Sequence, residues 1–227
     1  MVLFFVLFAL LLICAAIFPQ LDLLASGLFY KSGQGFFLAG NEPFVALQWL
    51  AYYGARALGV ALALLALAAF LRRGSILAVD KKGWLFLLLA LLIGPVLIAN
   101  AGFKDHWGRA RPREVTEFGG SRSFSPALVP QANARPNESF VSGDGAFGFF
   151  LPSFAYIVPP KWSRRVFWGC MGLGGLFGLA RLVMGAHFLS DILYAAACML
   201  MASAGVHAAM YGRAATAARW RGWFGRS

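Results

Sequence analysis

Apolar runs of membrane-crossing length dominate this chain and leave few folds open to it. A helix across a hydrocarbon core takes about 20 apolar residues. Six segments approach that length, at about 2–18, 45–71, 83–103, 142–159, 166–185 and 188–211. Only 13% of the 227 residues are charged and 60% are hydrophobic, whereas soluble domains carry about 25% charged residues. The expectation is an all-α integral membrane protein, with residues 1–227 forming one six-helix domain. The first run has no basic leader and no small-x-small cleavage site before Pro19, and Ile13 precedes Cys14. It therefore reads as a retained membrane helix. Cys14, Cys170 and Cys198 all fall inside apolar runs without ligand spacing, which reads as small buried hydrophobes.

A formal net charge of +11 invites a nucleic-acid reading, but most of the cations flank apolar runs. With six spans, eleven of the twenty Lys and Arg share one side: Arg72, Arg73, Lys81, Lys82, Lys161, Arg164, Arg165, Arg213, Arg219, Arg221 and Arg226. Short basic loops stay cytoplasmic, so both termini are expected inside, in a multi-pass arrangement. The connections 19–44, 104–141 and 185–187 then face outward. Within 19–44, Phe29, Tyr30, Phe36 and Phe37 lie among glycines, a composition suited to the headgroup layer and equally to a floppy connector.

Ionisable groups at span ends are expensive and functional by default, and three clusters of them land on the same expected face. The first is Lys104-Asp105-His106-Trp107-Gly108-Arg109-Ala110-Arg111-Pro112, where Lys104 and Arg111 are two helical turns apart. A basic collar anchoring the helix end explains this cluster taken alone. The second, Ser139-Phe140-Val141-Ser142-Gly143-Asp144-Gly145, opens a span. Ser142 can cap that helix, and its first free N–H groups suit an anion. The third, Arg181 through His187 to Asp191, sets an imidazole and a carboxylate four residues apart on one helix face. That spacing lets the carboxylate hold one ring nitrogen and free the other for nucleophilic attack. Three cations, a helix N-terminus and an oriented imidazole on one face suit phosphoryl transfer.

In order, Lys-x6-Arg-Pro, Ser-Gly-x and Arg-x5-His-x3-Asp resemble the tripartite signature of the type 2 phosphatidic acid phosphatase (PAP2) superfamily. The matching positions are Lys104, Arg111 and Pro112, then Ser142 and Gly143, then Arg181, His187 and Asp191. The resemblance implies a haloperoxidase-like helical core and a phosphatase that needs neither metal nor cofactor. It implies His187 as nucleophile through a phosphohistidine, Asp191 as its orienting partner, and Lys104, Arg111, Ser142, Gly143 and Arg181 as phosphate ligands. The family usually carries a His after Ser-Gly as general acid, where this chain has Asp144. Asp144 in that role, His106 as a substitute acid, or a leaving group that needs little help are the alternatives.

The wording around Phe18–Leu23 and Phe140–Asp144 is similar to bacterial lipid A phosphatase-like members. The expected partners are the bilayer and a phosphorylated membrane lipid, cleaved at the periplasmic face of the inner membrane, with no nucleic acid and no obligatory protein. The loop cations Arg109, Arg113, Arg122 and Arg135 fit a headgroup with more than one phosphate, or an anionic lipid surface. Other readings are a lipid phosphotransferase, an undecaprenyl pyrophosphate or phosphatidylglycerol phosphate phosphatase, a transporter, and a non-catalytic lipid-binding relative.

Overall fold

The computed structural model describes residues 1–72, 75–132 and 134–225. Arg73 and Arg226, counted above among the inner-side cations, lie outside the described residues. Helix α1 (Val2–Ile17) stops short of Pro19, whose ring cannot continue the hydrogen-bond ladder. The chain turns by 97° there into α2 (Gln20–Gly27). A two-stranded antiparallel hairpin follows, β1 (Tyr30–Lys31) with β2 (Gly35–Phe36), so the segment 19–44 is ordered structure and no floppy connector. Phe36 is buried, and its ring lies where a side chain on Gly185 would need to be. Gly185 also has φ +64, so a glycine is needed there on both counts.

Helix α3 (Glu42–Leu71) is long and mostly outward-facing. Helix α4 (Lys81–Leu91) starts on Asp80, whose side chain accepts the Gly83 N–H at 2.7 Å. It continues without a break as a π-helix, Leu92–Lys104, around Pro95. The Asn100 side chain donates to the Pro95 carbonyl at 2.8 Å, a side-chain bond across one turn of the wider spiral. Helix α5 (Gly143–Phe150) is short and gives way to a 3-10 helix, Leu151–Tyr156, at Pro152. Helices α6 (Pro160–Val183) and α7 (Leu189–Tyr211) are joined by the tight turn that holds His187. The basic tail, expected only as a run of charges, forms α8 (Arg213–Phe224), with Trp220 and Trp223 buried.

Among the described residues, four helices are each long and apolar enough to cross a membrane: α3, α4 with its π-helical continuation, α6 and α7. The bent pair α1 and α2 makes a fifth if it is one span. The run 142–159 had been expected to cross as a single helix, but Pro152 splits it into two short pieces. This chain is a mostly helical membrane protein.

The topology sorts the chemistry to opposite ends. Lys81, Lys161 and Arg213 begin α4, α6 and α8 at one end, where Trp84, Tyr156, Phe167, Trp220 and Trp223 form a core. Phe4 and Phe5 at the start of α1 pack against Phe224 and Trp220 of α8, so both chain ends gather there. Lys104, the start of α5, the end of α6 and the start of α7 meet at the other end. Phe140, Val141, Ala146, Leu182, Ile192 and Ala195 fill the space between them.

Small residues let these helices close up. A Cβ on Gly174 of α6 would stand 2.7 Å from the Phe149 ring and 3.0 Å from the Gly148 backbone, whereas one on Gly175 would meet nothing within 4 Å. Gly174→Ala is therefore expected to lower the thermal midpoint in detergent, by an overpacking penalty of about 1–3 kcal/mol. Gly175→Ala is expected to raise it through helix propensity, worth about 1 kcal/mol at most. Circular dichroism melts of the two variants check the opposite signs.

Candidate active site

The long connection between the π-helix and α5 is a folded cover. Trp107 Nε1 donates to the Ala127 carbonyl at 2.6 Å, Gln131 N–H to the Trp107 carbonyl at 2.8 Å, and Ser139 N–H to the Arg109 carbonyl at 2.9 Å. Val115 and Phe140 of this connection are buried. The turn after α6 is fixed from two sides. The Arg181 carbonyl accepts from the Ala186 and His187 N–H groups, and the Gly185 carbonyl accepts from Arg113 N–H at 3.1 Å.

Within this frame His187 is almost wholly buried. Its Nδ1 lies 2.8 Å from the Ser139 carbonyl oxygen, which can only accept, so Nδ1 carries the hydrogen and Nε2 the free lone pair. Burial pushes the His187 pKa down to about 3; Lys104 and Arg111 act in the same direction and Asp191 against it. The ring is thus neutral at ordinary pH. The sequence placed Asp191 directly on this imidazole, but the closest approach of Nδ1 to its carboxylate is 3.7 Å, too long for a hydrogen bond. Ser139 stands between the two. Its hydroxyl donates to Asp191 Oδ2 at 2.6 Å while its carbonyl takes the imidazole N–H. Asp191 Oδ2 also accepts the Phe188 N–H at 2.8 Å.

A cavity of about 620 Å³ opens in front of His187, lined also by Lys104, Arg111, Gly143, Asp144 and Arg181. Lys104 Nζ donates to the Asn137 side-chain oxygen at 3.0 Å, and Arg111 donates to the Asn137 carbonyl at 2.8 Å. Two cations thus converge on neutral oxygens of one exposed residue. A Cβ on Gly143 would lie 2.8 Å from Lys104 Cε, so the glycine lets Lys104 lie across the N-terminus of α5. Ser142 caps that helix as expected: its Oγ accepts the Gly145 N–H at 3.2 Å, and the side chain is buried behind the cavity. Asp144 faces the cavity and lies 3.0 Å from Arg181 Nε. Arg56 of α3, packed on the Tyr52 ring at 3.3 Å, adds a further cation to the wall.

Two expected accessory residues lie elsewhere. His106 is exposed and does not line the cavity, because the chain turns away directly after Lys104. Arg109 cannot meet a substrate at all, being fully buried with four of its five N–H donors committed. It donates to Asp191 Oδ1, to Asp22 Oδ2 at 2.7 Å, to Ser190 Oγ at 2.8 Å and to the Ser125 carbonyl at 3.0 Å. Burial alone would lower its pKa; Asp191 and Asp22 outweigh burial and raise it. The guanidinium also lies on the Phe188 ring at 4.4 Å. Asp22 in turn accepts the Ser190 N–H at 2.8 Å, which ties α2 to the start of α7.

Sequence reasoning assigned no role to Asp22, Asn137 or Ser139. Asp22 did carry a signal, as the only carboxylate before Glu42 in an apolar stretch. Arg109→Met leaves two buried carboxylates without their counter-charge, a loss of about 3–5 kcal/mol. The expected outcome is little or no monodisperse protein in detergent. Arg111→Met opens onto the cavity and is expected to keep a normal gel-filtration profile.

The PAP2 superfamily profile matches residues 83–215, which include every cavity residue named above except Tyr52 and Arg56. A lipid A 4'-phosphatase of Francisella tularensis subsp. novicida is 34% identical over 203 residues, covering 86% of this chain and 88% of that protein. A lipid A 4'-phosphatase of Rhizobium leguminosarum is 39% identical over 102 residues, 45% of this chain and 44% of that protein. One from Rhizobium etli is 39% identical over 103 residues, 45% and 40% of the two chains. No solved structure matches. With the profile spanning more than half of its length and a relative aligned along most of it, the chain belongs to the PAP2 superfamily and is a phosphatase of that type.

Proposed function

We propose that the protein hydrolyses a phosphate monoester of a membrane lipid through a phosphohistidine on His187. The reading rests most on one observation: a neutral imidazole, tied at Nδ1 and free at Nε2, at the wall of a cavity lined by Lys104, Arg111 and Arg181. Nε2 attacks phosphorus while the bond to the lipid oxygen breaks. The cations and the N–H groups at the start of α5 take up charge on the equatorial oxygens. As the P–N bond forms, the imidazole becomes positive, and the Ser139 carbonyl and Asp191 behind it stabilise that charge. Water then cleaves the P–N bond, releasing phosphate and restoring the neutral ring. Asn137, whose oxygens meet Lys104 and Arg111 in the free protein, gives way to the phosphate.

The leaving oxygen needs a proton. His106 lies outside the cavity, so Asp144 is the second-motif group on hand. Its pairing with Arg181 favours a positioning role, in which the carboxylate aims the guanidinium and water protonates the leaving oxygen. A sugar phosphate, which leaves more readily than a simple alkoxide, suits such a site. The relatives are lipid A 4'-phosphatases, which favours lipid A as the substrate class. The cations at the far end of the bundle support a cytoplasmic location for that end and for both termini. On that reading α1 and α5 are shortened spans, residues 1–227 are one six-span domain, and the cavity faces the periplasm from the inner membrane.

Purified protein is expected to release phosphate from lipid A in detergent, and His187→Ala to lower the rate on the order of 1,000-fold or more. Undiminished release by His187→Ala ends the proposal. Activity requires unprotonated His187, so an acid limb from this group belongs near pH 3, where its lowered pKa lies, well under the 6.5 of a free imidazole. A kcat/KM profile against pH checks the sign and the position. Asp144→Asn is expected to cost roughly tenfold or less, the scale of one charge-assisted contact, whereas a loss beyond roughly 100-fold makes Asp144 the acid, on the scale of general-acid catalysis.

A further inference from the structure

A second cleft of about 490 Å³ adjoins the cavity that holds His187, with Arg111, Arg113, Glu114 and Asn137 in the wall common to both. Arg122 and Arg135 line the second cleft alone. Its carboxylates, Glu114 and Glu138, are already engaged. Arg122 NH1 lies 3.2 Å from Glu114 and 2.8 Å from Glu138, and Glu114 also accepts the Arg111 N–H at 3.1 Å. Arg122 further donates to the Gly108 carbonyl at 3.1 Å, so this floor is fixed in place. Among the described residues, no ion pair holds Arg113 or Arg135, and both are exposed. Four arginines against two carboxylates leave the cleft positive, with the surplus on two open guanidinium forks. Such forks match the oxygens of a phosphate.

We propose that this cleft is a second anion subsite, which takes a second phosphate of the same lipid whose first phosphate faces His187. The proposal rests on the phosphatase reading above. The common wall favours one doubly charged ligand over two independent ones, since Arg111 and Arg113 are presented to both spaces at once. The lining also argues against a separate phospholipid. Among the described residues it comes wholly from the connection between 111 and 138, with no residue of a membrane-spanning helix in it to receive acyl chains. The subsite would act on specificity, by holding the far end of the headgroup, and would leave the chemistry at His187 unchanged.

The test uses the full chain in neutral detergent, with lipid A carrying both phosphates and monophosphoryl lipid A carrying the 4'-phosphate alone. Both binding and phosphate release are measured. Wild type is expected to bind the bisphosphate roughly tenfold more tightly, the scale of one charge-assisted interaction. Arg135→Glu, at an exposed position, is expected to abolish that preference by raising KM and Kd for the bisphosphate, with kcat and all values for the monophosphate unchanged. Equal effects on both lipids, or none on either, overturn the subsite. If phosphatidylglycerol added to the monophosphate restores tight binding through Arg135, the cleft serves a separate phospholipid and the proposal is wrong. Should wild type cleave neither lipid, the phosphatase reading fails, and the binding comparison still decides the subsite.

Discussion

Burying a guanidinium is costly unless carboxylates balance its charge and its nitrogens find acceptors, and the His187 end of this molecule is arranged around one such group. Arg109 reaches Asp191 at the start of α7, Asp22 in α2 and the Ser125 carbonyl in the covering loop. Three parts of the chain remote in sequence are therefore pinned to one side chain. Ser190 strengthens the join, since Asp22 takes both its N–H and its hydroxyl. Charges desolvated together in this way are strongly coupled, so removing one partner strands the others.

The placement of the imidazole follows from that anchor. Asp191, fixed by Arg109 and by the Phe188 N–H, holds the Ser139 hydroxyl, and the Ser139 carbonyl fixes the tautomer of His187. The charge is thus one residue removed from the ring. Under the proposed mechanism, this separation keeps a buried imidazole neutral and able to act as a nucleophile, while a carboxylate stays near enough to stabilise the positive ring once phosphorus is bound. Under the same proposal, the cations on the other side of the cavity face the phosphate without competition from Asp191, which is engaged by Arg109 and Ser139.

The spacing of ionisable groups made much of this legible before any coordinates. Lys104, Arg111, Gly143, Asp144, Arg181 and His187 do line one cavity, because helix-end positions are tied to hydropathy and the three motifs each sit at a helix end. Arg109 and Arg113 look alike in sequence, two basic residues in one loop. Only the fold buries the first against Asp22 and leaves the second open. The contact of Asp22 with Arg109 joins residues 87 apart in the chain, which no local pattern encodes. Ser139 acts through its backbone carbonyl, a group every residue carries, so its role had no signature. The run 142–159 is apolar enough to cross a membrane, yet its helix passes from α to 3-10 at Pro152, a change that hydropathy does not register.

The central claim is that Nε2 of His187 forms the bond to phosphorus. Rapid alkaline quenching of the enzyme during turnover of lipid A, followed by peptide mass spectrometry and phosphorus NMR, tests it directly. The account predicts a phosphoryl group on His187 at Nε2. A phosphoryl group on Nδ1 or on another residue, or turnover that continues in His187→Ala, contradicts it.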